Sequence, residues 1–258
     1  MDQGLMRATL EVEDHHWWYR GRRRIIRAEL DRLPLSRPAE ILDAGCGSGR
    51  TLLELVDYGQ VSGIELDPDV AGVAQGRGLG EVVQGRLEEL PWAENSFDLI
   101  TCLDVIEHTP DDRRTLSELR RVCRPGGFLL VTVPAHQFLW SAHDEYNHHY
   151  RRYSRRSLRE AATAAGWGLA RVSAFNSLLL PPAAVVRLLR RRAAAGANAE
   201  GNGRSGRAAG DDLFTGPKWL NETLEGPLRL EARWLAQGWT LPVGLSLLVV
   251  LRKPWTET

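Results

Sequence analysis

The residues best suited to chemistry in this 258-residue chain sit in one short segment, Asp43-Ala44-Gly45-Cys46-Gly47-Ser48-Gly49. Glycine at three alternate positions lets the backbone turn sharply and lets a ligand approach without meeting a Cβ. A helix beginning just beyond such a turn offers free N–H groups to an anionic group. A bare strand-to-helix turn would need fewer glycines. Residue 50 is arginine, so the third glycine of the dinucleotide fingerprint G-x-G-x-x-G is missing. Asp43 stands where a pyrophosphate would be repelled and a cationic ligand tolerated. No GK(S/T) is present, which excludes the phosphate-binding loop of nucleoside triphosphatases. A second acid, Glu65 in Gly63-Ile64-Glu65-Leu66-Asp67, can accept hydrogen bonds from both hydroxyls of a ribose. Asp67, just ahead of Pro68, reads instead as a helix N-cap.

Three further segments are weak alone and specific in their order and spacing: Gly85-Arg86-Leu87, Asp104-Val105-Ile106-Glu107-His108, and Arg124-Pro125-Gly126-Gly127. Short apolar runs at 39–44, 61–66, 81–85, 97–103 and 128–133 read as strands. Helical stretches at 50–57, 68–75 and 110–122 alternate with them, the last stopped by Pro125-Gly126-Gly127. This alternation predicts a doubly wound, mostly parallel α/β sheet. An amphipathic stretch at 15–33 precedes it. A loop-rich stretch at 134–153, a helix at 154–165 capped by Ser154, and strands at 169–175 and 244–252 complete seven strands. The expected organisation is an N-terminal helical cap over 1–38, an α/β domain over 39–176 and 243–258, and a helical insertion over 177–242. Within that insertion 193–212 reads as a low-complexity linker and 217–237 as an amphipathic helix broken near Gly226-Pro227.

From about residue 39 to 175, with the last strand, the sequence resembles the class I S-adenosylmethionine (SAM)-dependent methyltransferases, in the small-molecule branch related to quinone biosynthesis. The resemblance implies a Rossmann-like methyltransferase fold with SAM as cofactor. It implies that Asp43, Gly45, Cys46, Gly47 and Gly49 hold the methionine part of SAM, with Glu65 on the ribose and Leu66 against the adenine. The loop after the third strand usually reads Gly-Asp-Ala; here it reads Gly85-Arg86-Leu87, which leaves adenine to Arg86 and the backbone of Leu87. Leu103 and Asp104 are implied beside the sulfonium. The segment His16-Trp17-Trp18-Tyr19-Arg20-Gly21-Arg22 resembles segments that fold over SAM, with Tyr19 against the cation and Arg22 paired to the SAM carboxylate.

Methyl transfer from a sulfonium is an in-line displacement that needs alignment and exclusion of water. A hydroxyl or ammonium acceptor also needs a base. Five of the seven histidines lie between 108 and 149, beyond the fourth and fifth strands. His136 and His143 lead as the base, and His108, His148, Tyr150 and Arg152 as acceptor contacts. Arg151, Arg152, Arg155 and Arg156 suit an anionic acceptor. A metal set at His143, Asp144 and His148 has no HExxH or HxH spacing behind it, so no metal is expected. The stretch 177–192, apolar and then arginine-rich, suits a lid, a homodimer helix or a peripheral membrane contact, and the last would fit a lipid-like acceptor. Oxygen is the weakly preferred methylated atom. Nitrogen or carbon methylation, or a non-catalytic SAM-fold protein that binds a membrane or partner, are the alternatives.

Composition bounds these readings. Zero formal net charge, from 33 basic and 33 acidic residues, gives no general drive toward nucleic acid, and no nucleic-acid partner is expected. Only Lys218 and Lys253 are lysines, so the arginine excess reads first as coding bias. Cys46, Cys102 and Cys123 form no CxxC pair, and residues 1–13 are polar and acidic, unlike a secretory signal. Both point to a cytoplasmic setting. No apolar run reaches the ~20 residues of a membrane span.

Overall fold

The architecture is that of a computed structural model describing residues 12–181, 185 and 218–255, with the backbone only for His143 and Lys218. The expected linker at 193–212 lies outside these residues, as does most of 177–192. Strands β1 (Ala39–Ala44), β2 (Gly59–Glu65), β3 (Glu81–Gln84), β4 (Phe97–Leu103), β5 (Cys123–Pro134), β6 (Gly168–Phe175) and β7 (Ser246–Arg252) form one sheet in the order β3-β2-β1-β4-β5-β7-β6. The first five are parallel, and β7 runs antiparallel between β5 and β6. Helices are α1 (Trp17–Leu30), α2 (Leu52–Leu55), α3 (Pro68–Gly76), α4 (Asp112–Val122), α5 (Ala142–Tyr146), α6 (Arg155–Ala164) and α7 (Lys218–Ala236).

The central strands are apolar at successive positions because both faces of a parallel sheet are covered. Leu42, Ile100 and Leu129 face one core with α4 and α6, while Ile41, Leu99 and Leu130 face the other with α1 and α7. Local chemistry sets several helix starts. Asp67 caps α3 by accepting from the N–H groups of Asp69 and Val70, and Ser154 and Ser157 form a reciprocal capping box on α6.

Three expected boundaries move, each for a tertiary reason. The helix expected over 50–57 shrinks to α2, because β2 opens at Gly59 directly opposite Ala39 and the chain must turn back at once. Pro125-Gly126-Gly127 does not end α4 but lies inside β5, which starts at Cys123. The register there jumps from the pair Phe97–Cys123 to Leu99–Phe128, so the three residues bulge out of the ladder. Gly226-Pro227 does not break α7, which runs unbroken for 19 residues. Anchors on both sides of the proline hold it. The buried Glu225 meets Arg20 and Arg24 of α1 at 3.1 and 2.8 Å, and the buried Glu231 accepts the N–H groups of Asn176, Ser177 and Leu178.

The crossing of α1 and α7 is close because Gly21 has no side chain; a Cβ there would lie 2.6 Å from Leu228 Cβ. Gly21→Ala should therefore destabilise the fold by roughly 1–3 kcal/mol through overpacking. Leu228→Ala alone should cost roughly 2–5 kcal/mol. Urea unfolding should show the double variant to be less destabilised than the sum. Simple additivity would mean that the two residues do not meet.

Candidate active site

In the order β3-β2-β1-β4-β5 the direction of strand addition reverses between β1 and β4, and ligands of such sheets bind off the carboxyl ends at that switch point. The glycine segment follows β1 there, and Asp104 follows β4. The N–H groups of Gly45 and Cys46 donate to the Ile64 carbonyl of β2, at 2.8 and 3.0 Å, so the turn is tied to the neighbouring strand. Gly45 (φ +78°) passes so close to Val105 that a Cβ would stand 2.5 Å from its methyl. Gly47 (φ +54°) faces open space. That space belongs to a cavity of about 260 Å³ lined by Tyr19, Arg22, Asp43, Gly45, Cys46, Gly47 and Leu103 together with Glu13, Arg23, Ser48, Arg50, Thr51 and Val70.

Asp43 is buried on the α1 side of the sheet. Its strand partner Thr101 donates to Oδ1 at 2.6 Å, while buried Oδ2 has no partner among the described residues. Burial pushes its carboxyl up to about 7, against the opposing pull of Thr101 and Arg22. Such a group is stabilised as a carboxylate by any cation that reaches Oδ2. Glu65 accepts from Gly47 N–H through Oε2 at 3.0 Å and from Asp67 N–H through Oε1 at 3.1 Å, which fixes the carboxylate beside the turn. Arg22 ion-pairs with Asp104 at 2.7 Å, and its Nε is buried with no partner among the described residues. Asp104 is held at φ +57° with its N–H on the Thr132 carbonyl. A non-glycine residue in that region carries strain that the surrounding fold must support.

Sequence reasoning missed the strap over this cavity. Buried Glu13 accepts from Ser48 Oγ and from Arg77 Nη2, each at 2.8 Å, and Arg23 donates to its carbonyl at 2.6 Å. Asp14 pairs with Arg50 at 2.6 Å. Only the acidic pair ahead of an arginine-rich helix hinted at this, and spacing does not say which arginine it meets.

Other expected contacts scatter. Arg86 is exposed, 3.5 Å from Glu88 and off the cavity, because its loop turns outward after β3. Leu87 buries its side chain in the core, and Leu66 is exposed beyond the end of β2. On the acceptor side His136 sits at φ +63° after β5, with its ring 5.2 Å from the exposed Phe138. His143 lies on α5, and its side chain is outside the described set. His148 takes φ +56° and Tyr150 is exposed. Arg152 is not an open acceptor contact. It is buried, with Nε and Nη2 on the Asp144 carboxylate at 2.6 and 3.0 Å. Burial opposes the Asp144 charge, but His149 and Arg152 outweigh it and hold the carboxyl below its ordinary value. Arg151 pairs with Asp112, Arg156 with Glu160, and Arg155 donates to the Leu241 carbonyl. The cluster expected to bind an anion is thus largely matched within the fold.

A family model described as "Methyltransferase domain" matches residues 42–131, from β1 into β5. The malonyl-[acyl-carrier protein] O-methyltransferase of Enterobacter lignolyticus is 32% identical over 193 residues, 72% of this chain and 75% of that protein. Norajmaline N-methyltransferase of Rauvolfia serpentina is 35% identical over 115 residues, which cover 41% of this chain and about two-fifths of that relative's length. In fold, the chain resembles one from a complex of the Haloferax volcanii Trm112 methyltransferase activator with a methyltransferase. The TM-score is 0.61, with 20% identity over 97% of this chain and 96% of that one. Among the described residues no helix is long and apolar enough to cross a membrane. With a relative matched over three quarters of its length and the family model lying on the strands that carry the glycine turn and Asp104, the chain belongs to the SAM-dependent methyltransferases, and SAM is its cofactor.

Proposed function

We propose that the chain transfers the SAM methyl group to an oxygen of a small amphiphilic acceptor held over the loops that follow β4 and β5. The observation that carries this reading is the unpartnered Asp43 Oδ2 beside the open face of Gly47: a buried acid and a bare turn suit a cationic amino-acid moiety. When bound, SAM supplies a methyl group already activated by the sulfonium charge. The chain's own tasks are binding, alignment and exclusion of water. Glu65 is fixed to receive ribose hydroxyls, Tyr19 and Leu103 wall the cavity, and the Glu13 strap covers the turn. The internal matching of Arg151, Arg152 and Arg156 weighs against an anionic acceptor. Exposed Phe138, Tyr146 and Tyr150 on the acceptor loops support an amphiphilic one. Exposed Leu178, Val185 and Trp219 support a peripheral, lipid-facing role for the insertion. His136, partly exposed at the carboxyl edge, is the proposed base, with His143 as its alternate. Oxygen is favoured by the relative matched over most of its length, an O-methyltransferase.

Asp43 gives SAM binding a pH dependence. The free carboxyl titrates near 7, and the cation requires its ionised form. Affinity should therefore rise roughly eightfold from pH 6 to pH 7.5 in isothermal titration. Asp43→Asn should bind weakly with a flat profile, and a flat wild-type profile would contradict this role. Glu65→Ala should lose about 1.5–3 kcal/mol of SAM binding while circular dichroism stays unchanged. For the acceptor, the enzyme should be incubated with methyl-labelled SAM and a bacterial extract split into lipid and aqueous fractions. Label should enter the lipid fraction, and label confined to the aqueous one would refute an amphiphilic acceptor.

A further inference from the structure

We infer that the chain carries a binding site for a divalent transition-metal ion, built from Glu107, His108 and His149. One donor atom from each residue lies within 4.8 Å of the other two. Donors around tetrahedral zinc stand about 3.4 Å apart, so binding would draw them together by roughly an ångström. The three come from two loops that a hydrogen bond from Tyr150 N–H to the Glu107 carbonyl, 2.8 Å, staples together.

Three observations distinguish this cluster from a chance grouping. First, Glu107 is 1% exposed, and its Oε2 is buried with no hydrogen-bond partner among the described residues. A buried acid kept merely as a neutral structural group would place its proton on an acceptor. Second, both imidazoles are oriented from behind. His149 Nδ1 lies 2.9 Å from Asp144 Oδ1, and Asp144 is itself held by Arg152 and by the N–H of Ser141. His108 hydrogen-bonds to the backbone of Asn147. Carboxylate and carbonyl partners of this kind hold metal-binding histidines in one tautomer. Third, the two rings meet edge to face with centroids 4.6 Å apart, so the two imidazoles are packed directly against each other although they come from different loops.

Two imidazoles and one carboxylate favour zinc or a similar ion over magnesium or calcium, and three protein donors leave a fourth position open. The residues were hidden from spacing rules because His149 lies 41 residues beyond His108. The site adjoins the acceptor loops without depending on which acceptor they hold.

The full chain, produced without a histidine tag and stripped with a chelator, should be titrated with zinc chloride by calorimetry. One equivalent should bind with a Kd of about a micromolar or tighter, and zinc should raise the melting temperature. Glu107→Gln and His149→Ala should each weaken binding by at least about tenfold, while the exposed His15→Ala should bind as the wild type does. Absence of saturable binding, or binding that survives both substitutions, would overturn the site. Should the variants misfold, cobalt(II) loading of the wild type decides: intense visible bands of a tetrahedral nitrogen–oxygen site support it, and the pale spectrum of hydrated cobalt refutes it. SAM affinity of the zinc-free chain, measured alongside, separates failure of this site from failure of the methyltransferase reading.

Discussion

A carboxylate at the buried end of a parallel strand is costly unless something answers its charge. Asp43 is such a group, and much of the molecule is arranged around it. Thr101 answers one oxygen from the neighbouring strand, and Arg22 stands near from α1. The other oxygen has no partner among the described residues. The sheet can hold this arrangement because its cores on both faces are dense and apolar, so the unbalanced group is confined to the carboxyl edge. The glycine turn, Glu65, Leu103 and Asp104, which we propose hold the cofactor, all lie on that same edge.

Helix α1 is the second partner in this balance. It brings Tyr19, Arg22 and Arg23 to the cavity, and its back is clamped by α7 through Gly21 against Leu228 and through the Glu225 pairs. Helix α7 thus bears on the cavity at one remove, by packing against the helix that walls it. A proline inside α7 is tolerated because these tertiary anchors replace the backbone hydrogen bond that Pro227 cannot make.

The rim beyond β4 and β5 follows a different logic. Its loops carry charged side chains that are mostly consumed in organising the loops themselves: Arg152 with Asp144, Arg151 with Asp112, and His149 with Asp144. Asp104, His136, His148 and Asn176 all take positive φ along this edge. Much of the charge on this rim is matched internally, and the residues left exposed on it include Phe138, Tyr146 and Tyr150.

The strand-and-helix alternation, the glycine turn, Glu65 and the caps Asp67 and Ser154 were legible in the sequence, because each rests on contacts a few residues apart: burial period, allowed φ, or a side chain reaching its own helix start. Which charge meets which was not. Glu13 and Arg77 stand 64 positions apart, a separation that says nothing of their meeting. Arginine clusters looked like open anion sites until the fold paired them. His149 did not stand out in the sequence because its value depends on Asp144 and on His108, and the chain brings His108 near only across α4, β5 and α5. Sequence alone therefore determined the family and the sheet. The tertiary structure decided the pairing of charges and the grouping of the histidines, since Coulomb interactions and metal donors depend on distances through space that chain spacing does not encode.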